Sequence, residues 1–189
     1  MASLALSERS PLSGLAVPGR YGRRDGAAAL VIEERAMAAA SVIARRGKAE
    51  ACAAAIAAGG PAAFAGVGPG RWIATAEGAD PATFIAELRA RLNPVAAVID
   101  QSDARLVLRL SGPRVRDVLA KGVSIDLHPS VFKPGDVATT LVAHIGVQID
   151  MLDDAPTYLI AAPRSMAGSF WSWLTASAAE FGYEIVPRS

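Results

Sequence analysis

The sequence predicts an α+β fold made of duplicated β-α-β units with antiparallel sheet, and three observations carry the prediction. Segments with strand and helix patterning alternate as β-α-β-α twice along the chain, with extra strands in the second half. The two rounds also match each other. Pairing Gly47 with Gly112 sets SVIARRGKAEACAAAI against RLVLRLSGPRVRDVLAKG, each a strand, a glycine turn and a helix. Pairing Trp72 with Tyr158 sets RWIATAEGADPATFIAEL against TYLIAAPRSMAGSFWSWL, and Phe84 and Leu88 then fall on Phe170 and Leu174. The two offsets, 65 and 86, differ by 21 residues, which places an insert over 123–150 in the second copy. Such self-similarity marks a repeated supersecondary unit, against the competing account that two amphipathic strand–helix pairs agree by chance. Finally, 189 residues with 52% apolar side chains suffice for one ordinary core without staples.

Taken in order, residues 1–26 carry Pro11, Pro18 and the basic cluster Arg20, Arg23 and Arg24 with little periodicity. They read as an extended N-terminal tail, either free in solvent or with Leu4, Leu6, Leu12, Leu15 and Val17 covered by a partner. The domain proper is 27–189, with pseudo-repeats at about 41–94 and about 105–182. AAALVIEERAMAAA, residues 27–40, is ambiguous between strand and helix and is read as a short strand first. SVIAR is a strand, 47–58 an alanine-rich helix, and Gly59-Gly60-Pro61 its stop. FAGVGPG is a glycine-rich hairpin loop leading into the strand RWIATAE. DPATFIAELRARL is a helix with Asp80 as N-cap and Pro81 at its first position, ended by Asn93-Pro94. VAAVID leads to RLVLRLS, where Leu106, Leu108 and Leu110 alternate with Arg105, Val107 and Arg109, the pattern of a strand buried on one face. Ser111-Gly112-Pro113 turns into a helix carrying Val115, Val118 and Leu119, closed by Gly122; the Ser111 hydroxyl is a candidate cap. An irregular stretch follows, then two strands around Gly146, the turn DDAP, the strand TYLIAAP and a closing helix to about Gly182.

Composition excludes several classes of function. With 19 basic and 18 acidic residues the formal charge is +1, so no global field draws the chain to nucleic acid or anionic lipid. No run approaches the ~18–20 apolar residues of a membrane span, and the first residues lack the pattern of a secretory signal, so a cytoplasmic protein is expected. The single cysteine, Cys52, excludes an internal disulfide.

The candidate chemistry is sparse. Gly66-Val-Gly68-Pro-Gly70 has neither spacing of the phosphate loops and precedes a strand, so no helix N-terminus waits for a phosphate. His128, in DLHP, and His144, in a predicted strand, lie 16 residues apart without a neighbouring cysteine or paired carboxylate, a poor metal site; His128 is expected to bond its own loop. Asp150, Asp153 and Asp154 lack calcium-loop spacing and read as a solvated turn. Cys52, among alanines, reads as a buried inert thiol. On the closing helix Phe170, Leu174, Ala178 and Phe181 form one stripe with Trp171 and Trp173 at its margins. Either both indoles cap the chain's own core, or at least one is an interface anchor. No residue is assigned to catalysis, to a cofactor or to a metal.

The stretch DQSDARLVLRLSGPRVRDVLAKGVSIDLHPSVFKPGD, Asp100 to Asp136, resembles the gamma subunit of bacterial heterotetrameric sarcosine oxidase. The family shows the same order of strand, SGP turn, short helix ending LAKG, DLHP loop and F-PG turn, then a final helix like SFWSWLTASAAEFG. GPGRWIATAEG, Gly68 to Gly78, matches its first half, and the similarity covers about residues 40–182. The resemblance implies a fold like the folate-binding domain of aminomethyltransferases. Those relatives carry a folate-contacting acid near the position of Ile145 to Val147, where this chain has none; Asp153-Asp154 comes a strand too late to match.

The resemblance further implies partners and cofactors. The family enzyme oxidises sarcosine with a noncovalent FAD on its beta subunit, passes electrons to a covalent FMN between alpha and beta and then to oxygen, and hands the one-carbon unit to tetrahydrofolate in alpha. NAD belongs to alpha and zinc to delta. The gamma chain is then a noncatalytic structural subunit that binds none of these. Two other readings stand beside it: an independent folate-binding protein, and an assembly module with no enzyme partner.

Overall fold

The computed structural model describes residues 10–23, 25–60 and 62–188. Its first half builds a small sheet from β3 (Met37–Ala44), β4 (Ala63–Gly68), β5 (Arg71–Glu77) and β6 (Ala96–Asp100), with helices α1 (Ala49–Ala57) and α2 (Pro81–Leu92). The strand order is β4-β5-β3-β6, all antiparallel. The second half supplies β7 (Arg105–Ser111), α3 (Val115–Ala120), β8 (Val137–Val142), β9 (Ile145–Asp153), β10 (Thr157–Pro163), α4 (Ala167–Ala178) and β11 (Tyr183–Val186). These join β1 (Gly19–Tyr21) and β2 (Leu30–Glu34) in a large sheet ordered β1-β11-β2-β7-β10-β9-β8. The first half runs β-α-β-β-α-β with its four strands in the spatial order second, third, first, fourth, as in split β-α-β folds. The second half repeats that order with β9, β10, β7 and β11 once its fifth strand, β8, added at the sheet edge beside β9, is set aside. In the large sheet β2 enters between the first and fourth strands, parallel to β11 and antiparallel to β7.

Each half has its own core. Leu106, Leu108 and Leu110 of β7 face Val115, Val118 and Leu119 of α3 and Phe170, Leu174 and Ala178 of α4 in the larger one. Ala38, Ala40 and Val42 of β3 face Cys52 of α1 and Phe84, Ile85, Leu88 and Leu92 of α2 in the smaller. α2 starts where the sequence predicts: the Asp80 carboxylate accepts the Thr83 N–H at 2.8 Å, and Pro81 opens the helix. That hydrogen bond holds the Asp80 carboxyl below the usual carboxylate range.

Val107, Leu159, Gln148, Ala39, Ala65, Ile73 and Thr75 are buried yet belong to neither core. They point away from the helices, toward the helix-free faces of the two sheets, so those faces cover each other and the layers run helix, sheet, sheet, helix. The expectation that β7 is buried on one face is corrected by this stacking: Val107, on its supposedly wet face, is only 5% exposed.

Other expectations are corrected by local geometry. Gly112, with φ +123°, sits where an added Cβ would come within 2.6 Å of the Ala29 carbonyl oxygen, so the SGP turn is set by the close passage of the chain entering β2. Ser111 caps nothing; α3 begins after Arg114 without a side-chain cap. Gly122 is not a left-handed helix stop. A Cβ there would lie 2.7 Å from the Trp173 ring, so the glycine lets the indole rest on the backbone. FAGVGPG is mostly strand β4, which bulges at Gly66/Gly68 before the turn into β5. The β8–β9 turn falls at Ala143 and His144, both left-handed, rather than at Gly146.

The N-terminal expectation changes as well. Leu4, Leu6 and Arg24 lie outside the described residues, but residues 10–23 are part of the domain and no extended tail. Leu12 is 1% exposed in the large core, β1 pairs with β11, and Tyr21 stacks on Tyr183 at 5.4 Å. The Arg23 N–H donates to Ala179 O, and Gly182 leaves room for the Arg23 carbonyl.

Candidate functional site

At one end of the layer between the sheets, the chain crosses from β2 to β3 through Arg35 and Ala36. Beside that crossing opens a cleft of about 740 Å³. Its described lining includes Glu34, Arg35 and Met37 from the crossing, Gly78, Ala79 and Pro81 after β5, Ser102 and Asp103 before β7, Arg105 and Val107 on β7, and Arg164 and Arg188. Two pairs of bonds fix its walls. The Ser102 hydroxyl accepts the Ala39 N–H at 3.0 Å and donates to the Ala39 carbonyl at 3.3 Å. The Ser10 hydroxyl donates to Glu34 at 2.6 Å, and Arg188 Nε stands 3.5 Å from the same carboxylate.

Arg35 ties the two halves together. Its guanidinium donates to Glu33 at 2.7 Å and pairs with Glu77 of the small sheet, while Arg109 stands 4.0 Å from Glu33. Burial works against the Arg35 charge, but the hydrogen bond to Glu33 and the negative fields of Glu77 and Glu33 outweigh it and hold the pKa above the ordinary value. Arg105 differs: burial alone lowers its pKa, and its guanidinium has no ion pair or hydrogen bond among the described residues.

The residues singled out by sequence are scattered. His128 bonds its own loop: its N–H donates to Asp126 at 2.8 Å and its ring lies 2.7 Å from the Ser130 hydroxyl. His144 is at a hairpin tip, not within a strand. Cys52 is buried, and burial pushes its thiol pKa up, away from the reactive thiolate. Asp153 and Asp154 form the expected turn, with Asp153 accepting the Ala155 N–H at 3.0 Å. Asp150 is no part of it; it lies inside β9 on the face toward the other sheet, held by the Gln148 amide at 2.9 Å, and burial raises its pKa. Among the described residues no three His, Cys, Asp or Glu gather as metal ligands do, and no helix is long and apolar enough to cross a membrane.

The two indoles differ. Trp171 is 7% exposed and shares a void of about 40 Å³ with Leu12, Pro18 and Ile185, so the N-terminal segment covers it. Trp173 is half-buried, 5.7 Å from the Phe170 ring and seated on Gly122. The sequence reading missed the Arg35–Glu33–Glu77 bridge and Arg105. Their signals were present: charge clustered in VIEERAM where a strand ends, and arginines on the second face of an otherwise apolar strand.

This paired-sheet architecture defines the chain as a module of the aminomethyltransferase fold. It superposes on the glycine cleavage system aminomethyltransferase T from Bartonella henselae with a TM-score of 0.61 at 18% identity, over 84% of this chain and 48% of that one. Within the fold, the chain belongs to the sarcosine oxidase gamma subunit family, whose model matches residues 31–180. It is 37% identical over 123 residues to the sarcosine oxidase subunit gamma of Corynebacterium sp. (strain P-1), a match that covers 64% of this chain and 58% of that relative. It also superposes on a chain of the heterotetrameric sarcosine oxidase from Corynebacterium sp. U-96, solved with pyrrole 2-carboxylate. There the TM-score is 0.74 at 28% identity, over 92% of this chain and 96% of that one.

Proposed function

We propose that this chain is the gamma subunit of a heterotetrameric sarcosine oxidase and holds that enzyme together without reacting itself. The observation that carries the reading is the agreement of nearly the whole fold with one chain of such a heterotetramer. The enzyme converts sarcosine to glycine with oxygen and tetrahydrofolate, giving hydrogen peroxide and methylene-tetrahydrofolate, in the cytoplasm. Its partners are the alpha, beta and delta subunits, with FAD, FMN, NAD, tetrahydrofolate and zinc on those chains. The local geometry supports a noncatalytic role here: His128 is committed to its loop, and the Cys52 thiol is buried with its pKa raised.

Of the two indoles, Trp173 has ring area left to offer a partner, and a large aromatic held rigidly by its own chain makes an effective anchor. Trp173→Ala is expected to weaken association with the partner subunits about tenfold or more, while far-UV circular dichroism of the chain stays unchanged. Equal recovery of complex from wild type and variant removes the anchor role. The larger test is co-purification from the native host. A yellow four-subunit complex with a covalent flavin supports the assignment; a colourless lone chain counts against it, and tight binding of reduced folate by that lone chain would replace it with the folate-binding reading.

A further inference from the structure

Among the described residues, the inter-sheet cleft contains a cation without a counter-ion. Arg105 opens β7 with its guanidinium partly withdrawn from water, and burial depresses its pKa. The other charged groups of the lining are differently placed. Arg35 is bound to Glu33 and Glu77, and Arg188 stands against Glu34, which also accepts from Ser10. Arg164 is likewise partnered. The described lining carries four arginines and two acids, Glu34 and Asp103, around a cleft of about 740 Å³, within the ~300–1,000 Å³ span of small-molecule sites. Of those arginines Arg105 is the one with no partner among the described residues. A half-buried guanidinium without a counter-ion is less well solvated than a free one, and a carboxylate, whose two oxygens match its planar fork, relieves it. Met37, Val107, Pro11 and Pro81 give the same cleft apolar walls that suit a short carbon chain rather than a bare inorganic ion.

We infer that this cleft is a binding site for a small organic carboxylate, with Arg105 as its carboxylate-recognising residue. The site lies wholly within this chain and does not depend on the oxidase assignment. Neighbouring groups define its selectivity. Asp103, exposed on the rim, and Glu34, buried in the wall, disfavour ligands carrying many negative charges, so a mono- or dicarboxylate fits better than a polyphosphate.

The test uses the full chain, with succinate and inorganic phosphate as probes at matched ionic strength. Saturating thermal stabilisation by millimolar succinate is expected, with phosphate at least several-fold weaker. Arg105→Gln should abolish the succinate shift and Arg105→Lys should weaken it, since an ammonium cannot reproduce the bidentate contact. Arg45→Gln, on the exposed end of the small sheet, should behave as wild type. Circular dichroism of each variant before titration shows whether it is folded; if Arg105→Gln is not, the Arg105→Lys titration decides. No saturating shift in wild type, or an equal shift in the folded Arg105 variants, overturns the inference. So does phosphate binding as tightly as succinate, because the site would then recognise charge alone.

Discussion

The two halves share a strand order but not a way of filling it. In the first, the strands present Ala38, Ala40, Val42, Ala74 and Ala96 to their helices, and α1 buries only Cys52. In the second, the corresponding layer is Leu106, Leu108, Leu110, Ile149, Tyr158 and Ile160 against α3 and α4. A fully buried leucine or phenylalanine contributes roughly 1.5–3 kcal/mol and a single methyl about 0.8 kcal/mol, so the same topology is held far more strongly in the second half. Topology alone thus does not distribute stability; side-chain volume does. The second half also recruits the N-terminal segment, since Leu12 and β1 both dock onto it.

The sharpest way to break this comparison is at the phenylalanines that occupy matching places on α2 and α4. Phe170→Ala should cost about 4 kcal/mol and Phe84→Ala about 3 kcal/mol by urea denaturation. Phe170 is fully buried and supports the half-buried Trp173, whereas Phe84 packs among smaller neighbours and its site collapses more readily. A larger loss at Phe84 would mean that the small core, not the large one, limits unfolding.

A second contrast lies at the paired turn glycines. At Gly112 an added Cβ meets the Ala29 carbonyl oxygen at 2.6 Å, and that contact is backbone, which yields little. At Gly47, φ is +71° but nothing lies within 4 Å of the added atom. Gly112→Ala should therefore cost about 3 kcal/mol and Gly47→Ala about 1 kcal/mol, the latter being the left-handed backbone penalty alone. Equal losses would show that β2 can shift away from the turn, and the close passage at Gly112 would then not be what fixes it.

These pairs also show what sequence made legible. The duplicated unit, the Asp80 cap, the strands RWIATAE and TYLIAAP and the turn glycines were readable because they depend on local periodicity and backbone conformation. β11 was not, because YEIV is four residues long and follows the helix after only four residues, 179–182. The docking of Leu12 was not readable either, since one apolar residue among prolines and glycines has no period. The cleft escaped for a deeper reason. Arg105, Arg109 and Val107 alternate as a wet strand face would, and only the stacking of one sheet on the other, a contact between distant segments, turns that face into an interior.

Asp150 tests that stacking with the smallest expected effect. It lies on β9 on the same face as the buried Gln148, and the only hydrogen bonds to its carboxylate among the described residues come from the neutral Gln148 amide. Burial holds its folded pKa above the unfolded value. The folded state therefore binds the proton more tightly than the unfolded one, and stability falls as pH rises from the ordinary carboxylate range through the folded pKa. The penalty is present above the folded pKa; in acid, with the carboxyl protonated in both states, it vanishes. Asp150→Asn keeps an acceptor for Gln148 and removes the charge, so the variant should be more stable than wild type by about 1 kcal/mol at neutral pH, with the difference closing in acid. Paired urea titrations at the two pH values read this directly. A difference that does not change with pH would place Asp150 in contact with water, and the two sheets would then be less tightly apposed at β9 than at Val107.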